Sequence, residues 1–202
     1  MKIKAVYLLS LLFILSACSA TPQATRYYLL NSYKSTEMES SQSGSLVERE
    51  TEVISLSVTL ADYLMQPSVV MQIDEHQIHY ALFHRWAEPL LSGTEQSLLQ
   101  DLNARIDHGE FVKAEGGASN TQSSYLHVNV DYFHIGQDSS VILAGHYKFV
   151  VPGDTGTADK GVFSFRETLS SDGYEPAIGQ MRQLITELSD QISGDLNVSG
   201  MD

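Results

Sequence analysis

Apolar and polar residues alternate with a period of two along much of the chain, which is the pattern of half-buried β-strands. The clearest case is the run 53–58, in which Ile54, Leu56 and Val58 share one face and the intervening positions share the other. The run 141–151 is apolar on both faces and is therefore predicted to be a central strand. Strands are also predicted at residues 26–30, 69–73, 77–82, 126–133 and 161–169.

The connections between these strands set the expected topology. The polar segment 74–76 joins the runs 69–73 and 77–82, which predicts a hairpin. The last three strands are expected to form an antiparallel meander, because their connections are too short for a crossover helix. Polar loops are predicted at residues 35–52, 116–124 and 152–161.

Two segments carry apolar residues at helical spacing. The first helix is predicted at residues 94–107, where Ser92 and Glu95 form a capping box. The second begins near Pro176, whose fixed dihedral angle is tolerated at a helix start. Its apolar stripe consists of Met181, Leu184, Ile185, Leu188 and Ile192. Together these patterns predict an α+β fold. We expect a single domain over residues 26–195, with a mostly antiparallel, mixed sheet packed by two amphipathic helices, and a tail over 196–202.

The first residues have the layout of an export signal, with Lys2 and Lys4 followed by an uncharged apolar run. This run ends at Leu15 and is shorter than the roughly 20 residues that a transmembrane helix needs. The segment Leu15-Ser16-Ala17-Cys18 resembles the lipobox of bacterial lipoproteins. We therefore predict a signal peptide at residues 1–17, lipid attachment at Cys18 and a short tether over 18–25.

Cys18 is the only cysteine in the chain, so it has no partner for an internal disulfide. Lipidation accounts for this residue, and the alternative is an ordinary cleavage site that leaves Cys18 as a free thiol. The next residue is Ser19 and not aspartate, which resembles lipoproteins that are sorted to the outer membrane. The predicted location is the periplasmic face of the outer membrane, and no cofactor besides the covalent lipid on Cys18 is predicted.

The charge balance bears on the partners of the protein. Removal of the signal peptide leaves 185 of the 202 residues and takes away Lys2 and Lys4, so the formal charge of −13 becomes −15. Nucleic acids and anionic membrane surfaces are bound by clustered lysines and arginines, so this excess argues against both. The acidity serves solubility or marks an acidic binding face, and composition alone does not choose between the two.

No arrangement of residues indicates catalysis. The sequence lacks a nucleophile elbow, a phosphate-binding loop and a dinucleotide-binding turn. His76, His79 and His84 invite a metal hypothesis. In a strand, however, positions 76 and 79 point to opposite faces because their spacing is odd. No second cluster of ligands completes such a site. We therefore predict no catalytic residue and no metal site, and we expect that the protein is not an enzyme.

Two other groups of residues have more than one interpretation. His127 and Asp131 share the polar face of one predicted strand, with His146 on a neighbouring strand, where surface contacts are commoner than a catalytic pair. Trp86 is the only tryptophan and follows Arg85 at a junction between a strand and a helix. Trp86 either closes the core, as aromatic residues often do at such junctions, or forms a partner-binding hot spot with Arg85.

Several segments are informative in combination. They are Cys18 in its lipobox, Tyr27-Tyr28-Leu29-Leu30, Leu60-Ala61-Asp62-Tyr63-Leu64 with Pro67 and Val69-Val70, Arg85-Trp86-Ala87-Glu88-Pro89-Leu90, and Leu188-Ser189-Asp190-Gln191-Ile192. In this order they resemble the PqiC/YmbA-type ABC-transport auxiliary lipoprotein family over nearly the whole mature chain. The resemblance implies a periplasm-facing lipoprotein, usually on the outer membrane, that works with an MCE-domain protein in moving lipid between two membranes.

The resemblance also implies a structural role, in which the protein docks or completes a transport conduit by binding protein partners and can form a homo-oligomer. The acidic loop at 35–52 is longer than the family pattern and leaves the particular partner open. Two other functions fit the same sequence. One is a lipoprotein that binds and activates a cell-wall enzyme, and the other is a periplasmic lipid-binding protein, which predicts a deep apolar pocket.

Overall fold

Eight strands form one mixed sheet, and two α-helices pack on one of its faces. The computed structural model describes residues 23–31, 52–106, 109–114, 124–151 and 159–198. The strands are β1 Arg26–Tyr28, β2 Val53–Leu60, β3 Ser68–Asp74, β4 Gln77–Trp86, β5 Glu110–Lys113, β6 Tyr125–Ile135, β7 Ser140–Val150 and β8 Asp159–Thr168. The helices are α1 Leu90–Asn103 and α2 Tyr174–Val198, and a 3₁₀ helix spans Asp62–Met65. The predicted α+β class is confirmed.

Strand β6 is shared by two parts of the sheet. One of its edges pairs with β7 in antiparallel fashion over Tyr125–Ile135. The other edge pairs in parallel with β2 over Tyr125–Val130 and then with β3 at Ile135. Beyond β6 the sheet therefore divides into two arms, one formed by β2 and β5 and the other by β3, β4 and β1.

The period-two patterns identify the buried face correctly. Ile54, Leu56 and Val58 are buried in the core, so the alternation predicted for β2 is confirmed. β7 pairs with both β6 and β8, so its predicted central position is confirmed. Its two faces are not equally apolar, however, because one is buried and the other carries His146 and Lys148. The β3–β4 hairpin and the β6–β7–β8 meander are confirmed as antiparallel units. The parallel pairings of β1 and β2, and the short strand β5, were not predicted.

The predicted start of α1 is wrong by four residues. The helix begins at Leu90, and no side chain caps its first turn. Pro89 occupies the N-cap position, and its carbonyl accepts the first helical hydrogen bond from the Gly93 amide at 3.2 Å. Ser92 lies inside the helix, so the predicted capping box does not form. The start moves toward the N-terminus because burial of the Leu90 side chain favours an additional helical turn.

Helix α2 carries the predicted apolar stripe, which is buried against the sheet. A half-buried ion pair joins α2 to α1. Arg182 donates from Nη1 to Asp101 Oδ2 at 2.7 Å and from Nη2 to Asp101 Oδ1 at 2.6 Å, which is the bidentate geometry of strong arginine–carboxylate pairs. Thr186 Oγ1 donates to the same carboxylate at 3.0 Å. This contact fixes the relative position of the two helices.

β6 and β7 approach each other closely at a bulge. Their register shifts after Val130, which leaves Asp131 as an extra residue in β6. Gly145 is the partner of Val130, and a Cβ atom there would overlap the carbonyl oxygen of Asn129 and lie 2.9 Å from Phe163 Cζ. The position is therefore restricted to glycine by space rather than by backbone conformation.

Several predicted features lie outside the described residues. They are the signal peptide at 1–17, Cys18 and Ser19, residues 35–51 of the first loop, and most of the loops at 116–124 and 152–161. The last residues of the predicted tail, 199–202, are outside as well. Within the described ranges, neither helix combines the length and the apolar character that crossing a membrane requires.

Candidate partner-binding surface

Arg85 and Trp86 end strand β4 at the place where β1 joins the sheet. β1 pairs in parallel with β4, with Tyr27 opposite Arg85 and Tyr28 opposite Trp86. The Trp86 amide donates to the Pro67 carbonyl at 2.8 Å, so the backbone of this junction is fixed on both sides. The Trp86 side chain is only 6 % exposed, which favours the packing interpretation. Arg85 is half-buried, and partner binding by Arg85 and Trp86 stays a prediction.

His84 is held in an aromatic group next to this junction. A hydrogen bond of 2.7 Å joins Tyr28 Oη to His84 Nδ1. The His84 ring stacks on Tyr174 with a centroid distance of 3.7 Å. Burial, and to a smaller degree the charge of Arg26, lowers the pKa of His84. Nothing in the described part of the chain groups three metal-ligating side chains together, and His76 lies in the β3–β4 turn with its side chain 90 % exposed.

The sheet face opposite the helices, which we call the open face, carries a row of polar and cationic side chains. Ser57, His127, Lys148 and Lys160 are successive cross-strand partners on β2, β6, β7 and β8. His127 Nδ1 lies 3.2 Å from Ser57 Oγ. Burial, followed by the nearby His146, lowers the pKa of His127. The row therefore places two ammonium groups side by side on an otherwise acidic protein.

Asp131 and His146 contact each other on the same face. His146 Nδ1 lies 3.7 Å from Asp131 Oδ2, and Asn129 Nδ2 donates to Asp131 Oδ1 at 2.8 Å. His127 does not take part, because its ring contacts Ser57 instead. Catalytic triads need one histidine between a hydroxyl and a carboxylate, and no histidine of the described ranges has both contacts. These groups make the surface contacts that the sequence favoured over a catalytic pair.

A buried histidine at the end of β6 was missed by sequence reasoning. His134 is 3 % exposed, and its Nδ1 lies 2.9 Å from Tyr63 Oη. Tyr63 belongs to the 3₁₀ helix, and burial raises its pKa. His134 Nε2 makes a longer contact of 3.4 Å with Gln72 Oε1. The available signal was the position of His134 between the apolar residues Phe133 and Ile135.

The burial of His134 predicts a dependence of stability on pH. Burial, and to a smaller degree Arg166, lowers the pKa of His134 in the folded protein below its ordinary value of 6.5. The unfolded chain therefore takes up a proton at higher pH than the folded chain, so stability is lost as the pH falls below about 6.5. Urea denaturation at several pH values should show a shallower decline for His134→Gln than for the wild type.

His76→Gln is the matched control, because it makes the same change at a side chain that is 90 % exposed. His84 and His127 also have lowered pKa values, so part of the decline remains in the His134→Gln variant. Identical slopes for the His134→Gln variant and the wild type would contradict the assignment.

A surface cleft lies where the end of β3 meets the β6–β7 turn and the start of α2. Its volume is about 360 Å³, near the lower end for small-molecule sites. Apolar side chains such as Met71 and Ile135 line it together with the polar residues Gln137, Ser139 and Asp172. This mixed lining differs from the deep apolar pocket that a lipid-binding protein predicts.

Comparisons with known proteins agree with the fold. The sequence profile of the family described as ABC-type transport auxiliary lipoprotein component matches residues 28–193. A crystal structure of an uncharacterized protein is 21 % identical, with a TM-score of 0.68, and covers 86 % of this chain and 99 % of its own. Protein XCC0632 from Xanthomonas campestris is 14 % identical, with a TM-score of 0.56, and covers 74 % and 89 %. At these identities the two structures establish only the fold.

Comparison with curated protein sequences gave no match. The family profile, in contrast, begins at Tyr28, the last residue of β1, and ends within α2, so it includes β2 to β8, α1 and most of α2. The resemblance noted in the sequence is thereby confirmed. The chain belongs to the family of ABC-type transport auxiliary lipoprotein components.

Proposed function

We propose that this protein is an outer-membrane lipoprotein that faces the periplasm and serves as an auxiliary component of an MCE-type intermembrane lipid transport system. The observation that carries the proposal is the family match over residues 28–193. Cys18 in its lipobox and Ser19 after it support the anchor and the choice of membrane. The resemblance to the PqiC type supports the MCE-domain protein as partner.

A role in binding rather than catalysis fits the described surface. Among the described elements, the two helices cover one face of the sheet, and none covers the open face. Large apolar side chains are exposed at the β1–β4 edge, with Tyr27 and Leu82 more than half exposed. Aromatic and aliphatic residues at a sheet edge are typical contact residues of protein interfaces.

Co-purification tests the proposal. The full-length, lipidated chain with a C-terminal affinity tag is expressed in its own host, extracted in detergent and isolated, and bound proteins are identified by mass spectrometry. We expect an MCE-domain protein to be enriched over a tagged, unrelated outer-membrane lipoprotein. Repeated isolation without an MCE-domain protein, or with a cell-wall synthase or hydrolase in its place, would contradict the proposal.

A further inference from the structure

The ten-residue strand β8 leaves one edge of the sheet open. Among the described residues, β8 pairs only with β7, in a continuous antiparallel register. Two glutamines of α2 reach this edge, where Gln191 Nε2 donates to the Val162 carbonyl at 3.1 Å and Gln180 Nε2 donates to the Thr168 carbonyl at 2.7 Å. These bonds show that the even-numbered residues of β8 turn their backbone groups outward.

Ser164 and Arg166 lie between Val162 and Thr168, and their backbone groups point outward in the same way. Within the ranges that the structure describes, their outward N–H and C=O groups have no hydrogen-bond partner. A row of unpaired backbone groups on a long edge strand is a template for an additional strand. The two glutamines therefore bound a segment of β8 that is open to pairing.

The side chains beside this segment are cationic and apolar. Lys160 lies directly opposite Lys148 on the open face, and like charges in such a position destabilise a sheet. Neither lysine has an acidic partner in the described parts of the chain, whereas Arg166 donates to Asp138 Oδ2 at 2.7 Å. Val162, between the two cations of β8, is 78 % exposed.

We propose that the free edge of β8 binds an extended, acidic segment of a partner protein as an added β-strand. Its backbone would pair with Ser164 and Arg166 and would displace the Gln191 side chain from the Val162 carbonyl. An apolar side chain of the added strand would then lie opposite Val162 and an acidic one opposite Lys160. Main-chain hydrogen bonds supply affinity in this mode of recognition, and side chains supply specificity. The inference deepens the proposed function, because it names the surface that meets the partner.

Charge complementarity favours this occupant over two others. A second copy that paired through the same edge would bring further Lys160 and Arg166 side chains to a surface that is already cationic. An anionic membrane is an extended surface and would be repelled by the chain as a whole, whose formal charge is −13, whereas a short strand meets only the local charges beside β8. An acidic strand neutralises Lys148 and Lys160 without either conflict.

Peptide binding to the full-length, lipidated protein in neutral detergent tests the inference. The probe is a fluorescent peptide of alternating glutamate and valine, matched in length to β8, and the control peptide replaces glutamate with lysine. Ser164→Pro removes an N–H that β7 does not use, so the fold is retained, as for prolines on edge strands. We expect this variant to bind the acidic peptide about tenfold more weakly, whereas Ser164→Thr binds normally.

The double variant Lys148→Glu with Lys160→Glu keeps the backbone edge intact and decides the question if Ser164→Pro fails to fold. It should lose affinity for the acidic peptide and gain affinity for the lysine peptide. Equal binding of the acidic peptide by this variant and the wild type would overturn the inference. So would self-association that Ser164→Pro abolishes, or lysine-dependent binding to vesicles of phosphatidylglycerol in the absence of peptide binding.

The two proposals fail in different ways. If an MCE-domain protein co-purifies equally with the wild type and Ser164→Pro, and the acidic peptide does not bind, the β8 inference is wrong and the proposed function stands. If the acidic peptide binds in an edge-dependent way but no MCE-domain protein is recovered, the β8 inference stands and the identity of the partner is wrong.

Discussion

Replacement of residues 1–17 by a cleavable, non-lipoprotein export signal, together with Cys18→Ser, is expected to move the protein from the membrane fraction to the soluble fraction. Serine at position 18 lacks the thiol that accepts the lipid, and cleavage of the replacement signal removes the apolar segment, so neither anchor is left. Each buried methylene of an acyl chain contributes about 0.8 kcal/mol to membrane binding. With two or more chains, loss of the anchor should reduce membrane partitioning by several orders of magnitude. Fractionation after a high-salt and carbonate wash, with intact mass, measures this change.

Ser19→Asp is the matched control for the anchor. The resemblance to outer-membrane lipoproteins predicts that this variant keeps its lipid but collects in the inner-membrane fraction of a sucrose gradient. Retention of the Cys18→Ser chain on washed membranes, with its replacement signal cleaved, would contradict the lipobox interpretation. An unchanged position of Ser19→Asp in the gradient would contradict the sorting assignment alone.

Gly145→Ala is expected to destabilise the fold by about 3 kcal/mol or more. This is at or above the upper end of the destabilisation that extra atoms in a packed core usually cause. The new methyl group would overlap the Asn129 carbonyl oxygen, which belongs to a strand held on both edges. It would also press on the buried ring of Phe163. The β6 backbone therefore has to shift, and hydrogen bonds to β2 or β7 are lost. Urea unfolding followed by fluorescence of Trp86, the only tryptophan, measures the change.

Gly179→Ala makes the same chemical change where nothing lies within 4 Å of the added atom. Gly179 is exposed within α2, and alanine is favoured over glycine in a helix by about 0.5–1 kcal/mol. This control should therefore be slightly stabilised. A Gly145→Ala variant as stable as the wild type would show that β6 and β7 can separate locally at low cost.

The sequence predicts elements whose burial is periodic. The α2 stripe and the alternation in β2 both describe how a regular element presents one face to a core, and both are confirmed. The start of α1 at Leu90 depends on tertiary burial, which local capping signals do not contain. β5 has four residues, and only Phe111 among them is buried, so no period could be recognised.

Parallel pairing was unpredictable for a related reason. The position of β5 is set by a residue of another element, Asn103 at the end of α1. Asn103 Oδ1 accepts from the Phe111 amide at 2.7 Å, and Asn103 Nδ2 donates to the Phe111 carbonyl at 2.9 Å. β1 likewise pairs with the distant segment 84–86. Such contacts follow from the assembled fold and not from a local pattern.

The candidate surfaces also include some features that a local sequence pattern predicts and others that depend on the assembled fold. Trp86 could be placed at a junction from sequence, but its burial required the positions of β1 and Pro67. The row of polar and cationic side chains cannot be recognised in the sequence, because His127, Lys148 and Lys160 come together only through the register of three strands. Cys18 is the opposite case, since a covalent modification is recognised from a short linear motif that needs no fold.

The shared position of β6 has a consequence for how the chain folds. β2 and β3 both pair with β6, which lies far from them along the chain. Thr59 of β2 and its partner Asn129 of β6 are 70 residues apart, and β3 pairs with the other end of β6 at Ile135. β6 and β7, in contrast, are joined by a short turn and form a local hairpin. We expect this hairpin to form early and both arms to join it late, since long-range closure is slow. Newly made chains should therefore expose an unpaired β6 edge until residues 53–74 reach it.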